Sequence, residues 1–579
     1  MASEKNRASK PSQVTKTPKN DTALSSPLDS SGRAVFLLIA FAVVAVIFFA
    51  RLVYLQVIVA DEYKEQARET RTTVIDTPPK RGTIYDRNGI VLATSIEATT
   101  IYADPTKITD PEGTATLLAF YLGGEAQEYR EKISEKGTTF VYVARKAEEE
   151  AAGKVQSLKL PGIYFLPDTK RVYPNGQVGG QIVGFADIDG NGIAGLEMYY
   201  DEILSGTAGK LYIEQGVGGI PIPGASYEGE KSVNGQDIII SLDIRLQEYV
   251  EERLVKGVES MKGESGTAMV MDAGNGEILA AASLPLFNPA DTSTVEEGST
   301  EFKGATQAFE PGSTFKAVTM LAVLESGVLT PNDSIFCPSY LSADNYSIKD
   351  ARDRADATYT VTEILARSSN VGTLLAAERL GFFQLYQYIL DYNLTEATGI
   401  DYPGESSGYL LEQSQWSQIQ AYNVSFGQGV SVTPLQQVRF YGALVNDGVE
   451  CTPHFLIKKP QSDEEVTYET AEVIRNKQVI GDLTNMLEAV ITEGTAQDIS
   501  IDGYRVAGKT GTAEIASSAG GYKSGIYNVS FVGFLPHSDS QLVCFVGATD
   551  VPGGGNSTPM FQDIMTFAID RYRIVPSEG

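Results

Sequence analysis

Apolar and polar positions divide the chain into three stretches. From Ala34 to Ala50 no charge interrupts the run AVFLLIAFAVVAVIFFA, which Arg33 and Arg51 bracket. At ~1.5 Å rise per residue such a run just reaches across a ~30 Å hydrocarbon core. Leu52, Val53 and Leu55 lengthen it, and the arginines can snorkel to the two interfaces. The pattern predicts one transmembrane helix over residues 34–55. A buried core helix is the bland alternative and a cleaved signal peptide the closer one. The run exceeds the usual signal-peptide core of about 7–15 residues, and Ile58-Val59-Ala60 is a poor cleavage site, so an uncleaved anchor is expected.

Between about Asp61 and Asn234 the pattern is mixed and rich in turn signals. Asn88-Gly89 precedes the apolar Ile90, Val91 and Leu92, and Gly190-Asn-Gly-Ile-Ala-Gly195 leads into Leu196-Glu197. Taken alone these are turn chemistry, structural rather than catalytic.

The character changes near Gly235. Asp237–Leu242 reads as a strand, and Asp243 as the cap of a helix with Leu246, Val250 and Leu254 at helical spacing. Thr267–Asp272 and Ile278–Ala282 predict a hairpin around Asn275-Gly276. Ile526–Leu535 and Leu542–Thr549 flank a polar turn at His537-Ser538-Asp539-Ser540, and Phe561–Tyr572 reads as a closing helix. Strands at both ends of a helix-rich middle predict an α+β domain whose sheet joins its sequence termini.

Composition narrows the function classes. The 579 residues allow three or four domains by length alone, but the pattern supports two folded modules. The expected divisions are a disordered tail (1–33), the anchor (34–55), an elongated mixed module (56–234) and the α+β domain (235–579). With 42% hydrophobic and 21% charged residues, a wholly disordered or fibrous chain is excluded. A net charge of −28 makes nucleic acid an unsuitable partner. The charge is unevenly spread: Lys5, Arg7, Lys10, Lys16, Lys19 and Arg33 outweigh Glu4, Asp21 and Asp29 before the apolar run. The positive-inside rule then keeps the tail cytoplasmic and places the remainder outside the membrane. Three Cys and two His, far apart, point to neither a metal cluster nor a disulfide framework, and no metal or cofactor is expected. His454 and His537 read as surface residues, Cys544 as a buried strand hydrophobe, and a Cys337–Cys451 pairing stays open.

Three short motifs carry candidate chemistry. Pro311-Gly-Ser-Thr-Phe-Lys316 opens an apolar helix that Gly327 ends, so Ser313 and Lys316 project from one helical face. A buried lysine beside a serine can lose its charge and accept the hydroxyl proton. Ser313 could equally be an N-cap. Ser368-Ser369-Asn370 offers a relay hydroxyl and an amide, although Ser232-Val233-Asn234 fits the same pattern and most such triplets are turns. Lys509-Thr510-Gly511-Thr512, after a strand-like Tyr504–Ala507, supplies a cation, hydroxyls and a glycine that admits substrate to the backbone. By itself it could be an edge-strand lysine. Gly503–Thr510 also satisfies the phosphate-loop pattern, but strand-forming Tyr504–Ala507 fills the would-be loop and no firm helix follows. S-x-x-K, S-x-N and K-T-G in this order form the constellation of penicillin-recognising serine acyltransferases.

On these motifs the chain closely resembles the class B penicillin-binding proteins. Arg81-Gly-Thr-Ile-Tyr-Asp-Arg-Asn-Gly89, Arg171-Val-Tyr-Pro174, Gly195-Leu-Glu197, Ser425-Phe-Gly-Gln-Gly429, Thr433-Pro-Leu-Gln436 and Ala507–Ala513 all share in the resemblance. It implies a non-catalytic pedestal braced by the Arg81, Asp86 and Glu197 motifs, and a transpeptidase domain with an antiparallel sheet flanked by helices. Neither a glycosyltransferase module nor C-terminal repeat domains are expected. It further implies that Ser313 is the nucleophile on a D-Ala–D-Ala stem peptide and Lys316 the base. Ser368 would relay protons and Asn370 hold the substrate amide. Lys509 would supply positive potential, Thr510 and Thr512 bind the terminal carboxylate, and the Ser313 and Thr512 N–H groups form the oxyanion hole. Stem peptides, β-lactams, the membrane, a partner glycosyltransferase and division proteins are the implied partners. The Arg81 motif followed by Leu92-Ala-Thr-Ser95 resembles the septal branch. A carboxypeptidase or β-lactamase on the same scaffold, and a non-catalytic penicillin sensor or division scaffold, are the alternative functions.

Overall fold

The computed structural model describes residues 30–61, 63, 72–215, 221–343, 346–516 and 521–577. The chain divides into two compact units, Met1–Ile75 with Leu211–Glu228, and Asp76–Lys210 with Gly229–Gly579. The tail expected over 1–33 lies outside the described residues as far as residue 29.

In the first unit a helix spans Ser30–Val53 and runs on as a π-helical turn, Tyr54–Ile58. Ala34–Ile58 is long and apolar enough to cross a membrane and none of it is buried within the protein, so the span extends past residue 55 through Val57 and Ile58.

The second unit carries both predicted hairpins in one sheet. Its strands lie in the order Ile278–Ser283, Ser265–Asp272, Leu542–Pro552, Tyr522–Phe534 and Ala507–Ala516, antiparallel throughout. Val270 faces Cys544, so the first and last hairpins of the domain meet side by side. The turn Asn275-Gly276 closes where expected, with Gly276 in the left-handed region at φ +89°. Helices Ile244–Met261 and Thr558–Tyr572 pack on each other and on this sheet. Tyr249 stacks on Phe567 at 4.3 Å, and a Cβ on Gly257 would lie 2.0 Å from Met560 Sδ. Asp243 caps the first helix through the Arg245 N–H and receives two hydrogen bonds from Arg571, at 2.9 and 3.1 Å.

A second sheet runs across residue 235. In order it holds Leu456–Lys458, Ile238–Ile240, Ile84–Tyr85, Val91–Ala103 and Val141–Glu148, and Ile163–Val172 also pairs with Val91–Ala103. Ile84 and Tyr85 lie parallel to Ile238 and Ile239. One core accordingly includes Ile84, Leu92 and Leu196 together with Ile238, Leu254 and Phe531, while Ile101, Leu118 and Val155 belong to a separate cluster.

The arginines and acids expected to brace this region form a buried ion network. Glu197, fully buried, accepts from Arg81 Nε at 2.5 Å and from Arg171 Nε at 2.6 Å, and Arg81 reaches Asp201 as well, at 2.6 Å. Asp86 accepts from the N–H groups of Asn88 and Ile90 and so shapes the Asn88-Gly89 turn. The second S-x-N triplet is structural: Asn234 Oδ1 accepts from the Lys80 N–H at 3.0 Å.

The strand expected over Tyr504–Ala507 starts only at Ala507. Before it, Tyr504 and Arg505 bond the C-terminal segment singly, through Tyr504 OH to Ile574 O and Arg505 N to Ser577 Oγ, instead of entering a ladder. Ser313 does not sit in an α-helix: Gly312–Phe315 is a 3-10 turn and the helix begins at Lys316. His454 is buried, not superficial, stacked on Tyr468 at 3.6 Å with Nδ1 2.9 Å from Thr452 O. The Pro453 signal suggested an open loop, but the backbone bridges Glu277 and carries the ring inward. His537 does lie half-exposed in the predicted turn. All three cysteines are buried and free, so Cys337 and Cys451 form no disulfide.

Candidate active site

The Gly312–Phe315 turn, which carries Ser313, is pinned from three sides. Gly312 adopts φ +56°, and its N–H donates to Gly427 O at 2.9 Å. A Cβ on Gly427 would lie 2.1 Å from Gly312 O, and one on Gly312 would lie 2.8 Å from Thr512 O. The Ser425–Gly429 loop and the Ala507–Ala516 strand thus approach the Gly312–Phe315 turn at backbone distance. Gly511 serves the same closeness, because a Cβ there would meet Ser530 Oγ at 2.3 Å and Thr314 Cγ2 at 3.0 Å. From below, the Pro434–Val445 helix holds the turn. Thr433 and Gln436 close a capping box at its start, Gln437 Oε1 accepts from Thr314 Oγ1 at 2.7 Å, and Tyr441 OH donates to Thr314 O at 2.9 Å.

This packing leaves Ser313 half-buried beside the wholly buried Lys316. The Lys316 amine donates to Asn370 Oδ1 at 2.6 Å, Ser368 O at 2.6 Å and Ser368 Oγ at 3.2 Å. Those three acceptors match the three donors of an ammonium group. Burial pushes Lys316 down to about 7, against an opposing pull from the Asp350 carboxylate. The amine is therefore close to losing its proton at neutral pH, next to a serine one turn away.

The second motif is bent to serve this amine. Ser368 adopts φ +57°, which costs a non-glycine residue about 1–2 kcal/mol and turns its carbonyl toward Lys316. Ser369 caps the Asn370–Leu380 helix through the Gly372 N–H at 2.9 Å. The Asn370 amide is held at both ends, its Nδ2 donating to Lys349 O at 3.0 Å.

Lys509 is fully buried near the start of the edge strand, its amine 3.1 Å from Thr510 O and 3.3 Å from Thr510 Oγ1. Burial and then the neighbouring Lys316 charge hold it well below the usual lysine range. Thr510 Oγ1 lies 2.7 Å from Thr495 Oγ1, while Thr512 is exposed on the same strand. Lys509 being in a strand, with strand continuing to Ala516, rules out the phosphate loop, which requires a helix there.

The eight expected residues, Ser313, Lys316, Ser368, Asn370, Lys509, Thr510, Gly511 and Thr512, thus lie on three neighbouring chain segments: the Gly312–Phe315 turn with the start of the Lys316–Glu325 helix, the turn that opens the Asn370–Leu380 helix, and the Ala507–Ala516 strand. Sequence reading missed Asp350, Gln437 and Tyr441. Gln437 adjoins the quoted Thr433–Gln436 motif and could have been included, whereas Asp350 sits in a charged run, Lys349-Asp-Ala-Arg-Asp-Arg354, that reads as solvated surface.

Residues 266–566 match the penicillin binding protein transpeptidase domain, and residues 76–240 the penicillin-binding protein dimerisation domain. Stage V sporulation protein D of Bacillus subtilis is 32% identical over 562 residues, covering 94% of this chain and 87% of its own. Peptidoglycan D,D-transpeptidase FtsI of Escherichia coli is 31% identical over 540 residues, covering 91% and 89%. The crystal structure of penicillin binding protein 3 from Mycobacterium tuberculosis, complexed with aztreonam, superposes with a TM-score of 0.68 at 27% identity, covering 87% of this chain and 98% of its own. Sharing both domains, and most of its length, with these proteins, the chain belongs to the class B penicillin-binding proteins.

Proposed function

We propose that this peptidoglycan D,D-transpeptidase works through an acyl-enzyme on Ser313, with Lys316 as the base. Ser313 Oγ attacks the carbonyl carbon between the two D-Ala residues of a donor stem as Lys316 Nζ takes its proton. The C–N bond breaks, the terminal D-Ala amine receives a proton through Ser368, and an ester remains on Ser313. The amine of a neighbouring stem then attacks the ester carbonyl, forming the cross-link and returning the proton to Ser313 Oγ. Asn370 holds the donor's amide, Thr510 and Thr512 bind its terminal carboxylate, Lys509, kept charged by that carboxylate once bound, supplies the field, and the Ser313 and Thr512 N–H groups face the oxyanion. A β-lactam follows the first half of this path and stops there.

The observation that carries the reading is the buried Lys316 amine, bonded to both Ser368 and Asn370 one turn from Ser313. Residues 56–234 act as the pedestal and 235–579 as the catalytic domain. The basic flank of the apolar helix supports a cytoplasmic N-terminus with both modules outside the membrane. Septal wall synthesis fits the likeness to FtsI, and in that role a partner glycosyltransferase and division proteins would act beside the chain.

The test is labelling of the full chain with a fluorescent penicillin, followed by mapping of the adduct. Label on Ser313, lost in Ser313→Ala, is expected; label retained in that variant overturns the assignment. Release of D-Ala without cross-linked product would turn the reading to a hydrolase.

A further inference from the structure

We infer that Asp350 is a positioning residue for acyl transfer, holding the Ser368–Asn370 turn and its charge against the Lys316 amine. The inference rests on the Ser313–Lys316 reading above.

Asp350 follows directly on the strand Tyr346–Lys349, and it is nearly buried. Its Oδ1 accepts from Ser369 Oγ at 3.0 Å and from the Val371 N–H at 3.0 Å. Its Oδ2 accepts from Ser369 Oγ at 2.9 Å and from Arg354 Nε at 2.5 Å. One carboxylate thereby grips the residues on either side of Asn370, while the carbonyl of its neighbour Lys349 holds Asn370 Nδ2. The effect on chemistry is indirect but specific. With Nδ2 fixed, Asn370 can only turn Oδ1 toward Lys316, and with Ser369 fixed, Ser368 keeps the left-handed backbone that aims its carbonyl at the same amine. Arg354 in turn is anchored by Cys337 O at 2.9 Å and lies over the Tyr359 ring, so the carboxylate is itself fixed.

The groups facing Lys316 are Ser368 and Asn370 on one element, Lys509 on the edge strand, and Asp350. Among the described residues Asp350 is the negative one, with Arg354 as its ionic partner. A nearby carboxylate favours the protonated amine. Removing its charge therefore lets Lys316 lose its proton at lower pH, while loosening the turn slows reaction at every pH. A merely structural residue would produce only the second effect.

The experiment measures the second-order rate of penicillin acylation against pH for the full-length chain, with melting temperature as the check on folding. Asp350→Asn should move the acid limb to lower pH and lower the plateau about tenfold. Asp350→Glu keeps the charge but displaces it, and should lower the plateau with the acid limb near its original position. Asp353→Asn, in the same loop but exposed and paired with Lys349, should leave the profile unchanged. An unmoved acid limb in a folded Asp350→Asn chain overturns the inference. If Asp350→Asn does not fold, an unaltered plateau in Asp350→Glu overturns it instead. Failure of the wild-type chain to acylate at Ser313 would be a failure of the underlying reading, visible before any Asp350 variant is made.

Discussion

Glu197 and Arg81 stand 116 residues apart in sequence and meet at 2.5 Å, the acid fully buried and the arginine 6% exposed. The acid is shared with Arg171 on its other oxygen. Removing one partner of such a buried pair leaves an uncompensated charge, whereas removing the charge but not the shape costs less. Glu197→Ala, which strands two arginines, is expected to lower unfolding free energy by about 3–5 kcal/mol. Denaturant unfolding checks this, and penicillin labelling per folded molecule should stay near that of the wild type.

The role proposed for Lys316 carries an expected pH dependence of acylation. As the proposed base, it would accept the Ser313 proton only in its neutral form, which burial brings in near pH 7. The rate of penicillin acylation should rise with pH through about 7 and level off above it, and Lys316→Met should lower it by about 10²–10⁴-fold at the plateau. A rate flat from pH 5 to about 9 would contradict the assignment.

Gly427 leaves no room for a side chain. Its φ of +87° disfavours any other residue, and its missing Cβ faces the Gly312 carbonyl at 2.1 Å, a backbone atom that cannot swing aside. Gly427→Ala should cost ~1–3 kcal/mol and displace the Gly312–Phe315 turn that carries Ser313, so labelling falls more steeply than stability. Thermal melts and labelling on the same preparations separate the two losses.

Tyr200 OH donates to Asp401 at 2.6 Å, and Asp401 also receives the Phe455 and Leu456 N–H groups. Tyr200→Phe removes one donor from a buried acid and is expected to cost about 1–3 kcal/mol without altering the acylation rate. A change in rate at unchanged stability would show that this contact reaches the active site.

Much of this molecule can be read from local chemistry. The Asn275-Gly276 turn, the Asp243 cap and the apolar strands at 526–535 and 542–549 lie close to where the pattern places them, because each depends on neighbours a few residues away. The site motifs are ambiguous singly, since a serine or a surface lysine has many uses, and their order is what gives them meaning. Asp350 and His454 illustrate what stays hidden. The acid looks solvated because its partner Ser369 lies 19 residues on, and the histidine looks exposed because nothing near Pro453 announces Tyr468 as a stacking surface. Ile84 next to Ile238 is of the same kind: a parallel pairing across 154 residues leaves no periodic trace.

That last pairing limits how the chain can be divided. Ile238–Ile240 has Ile84 and Tyr85 on one side and Leu456 and Lys458 on the other. A fragment begun at residue 235 would strip one flank of an all-isoleucine strand and present its unpaired amides and carbonyls to other molecules, a template for aggregation. Residues after 235 thus borrow part of their solubility from the Ile84–Tyr85 strand that precedes them.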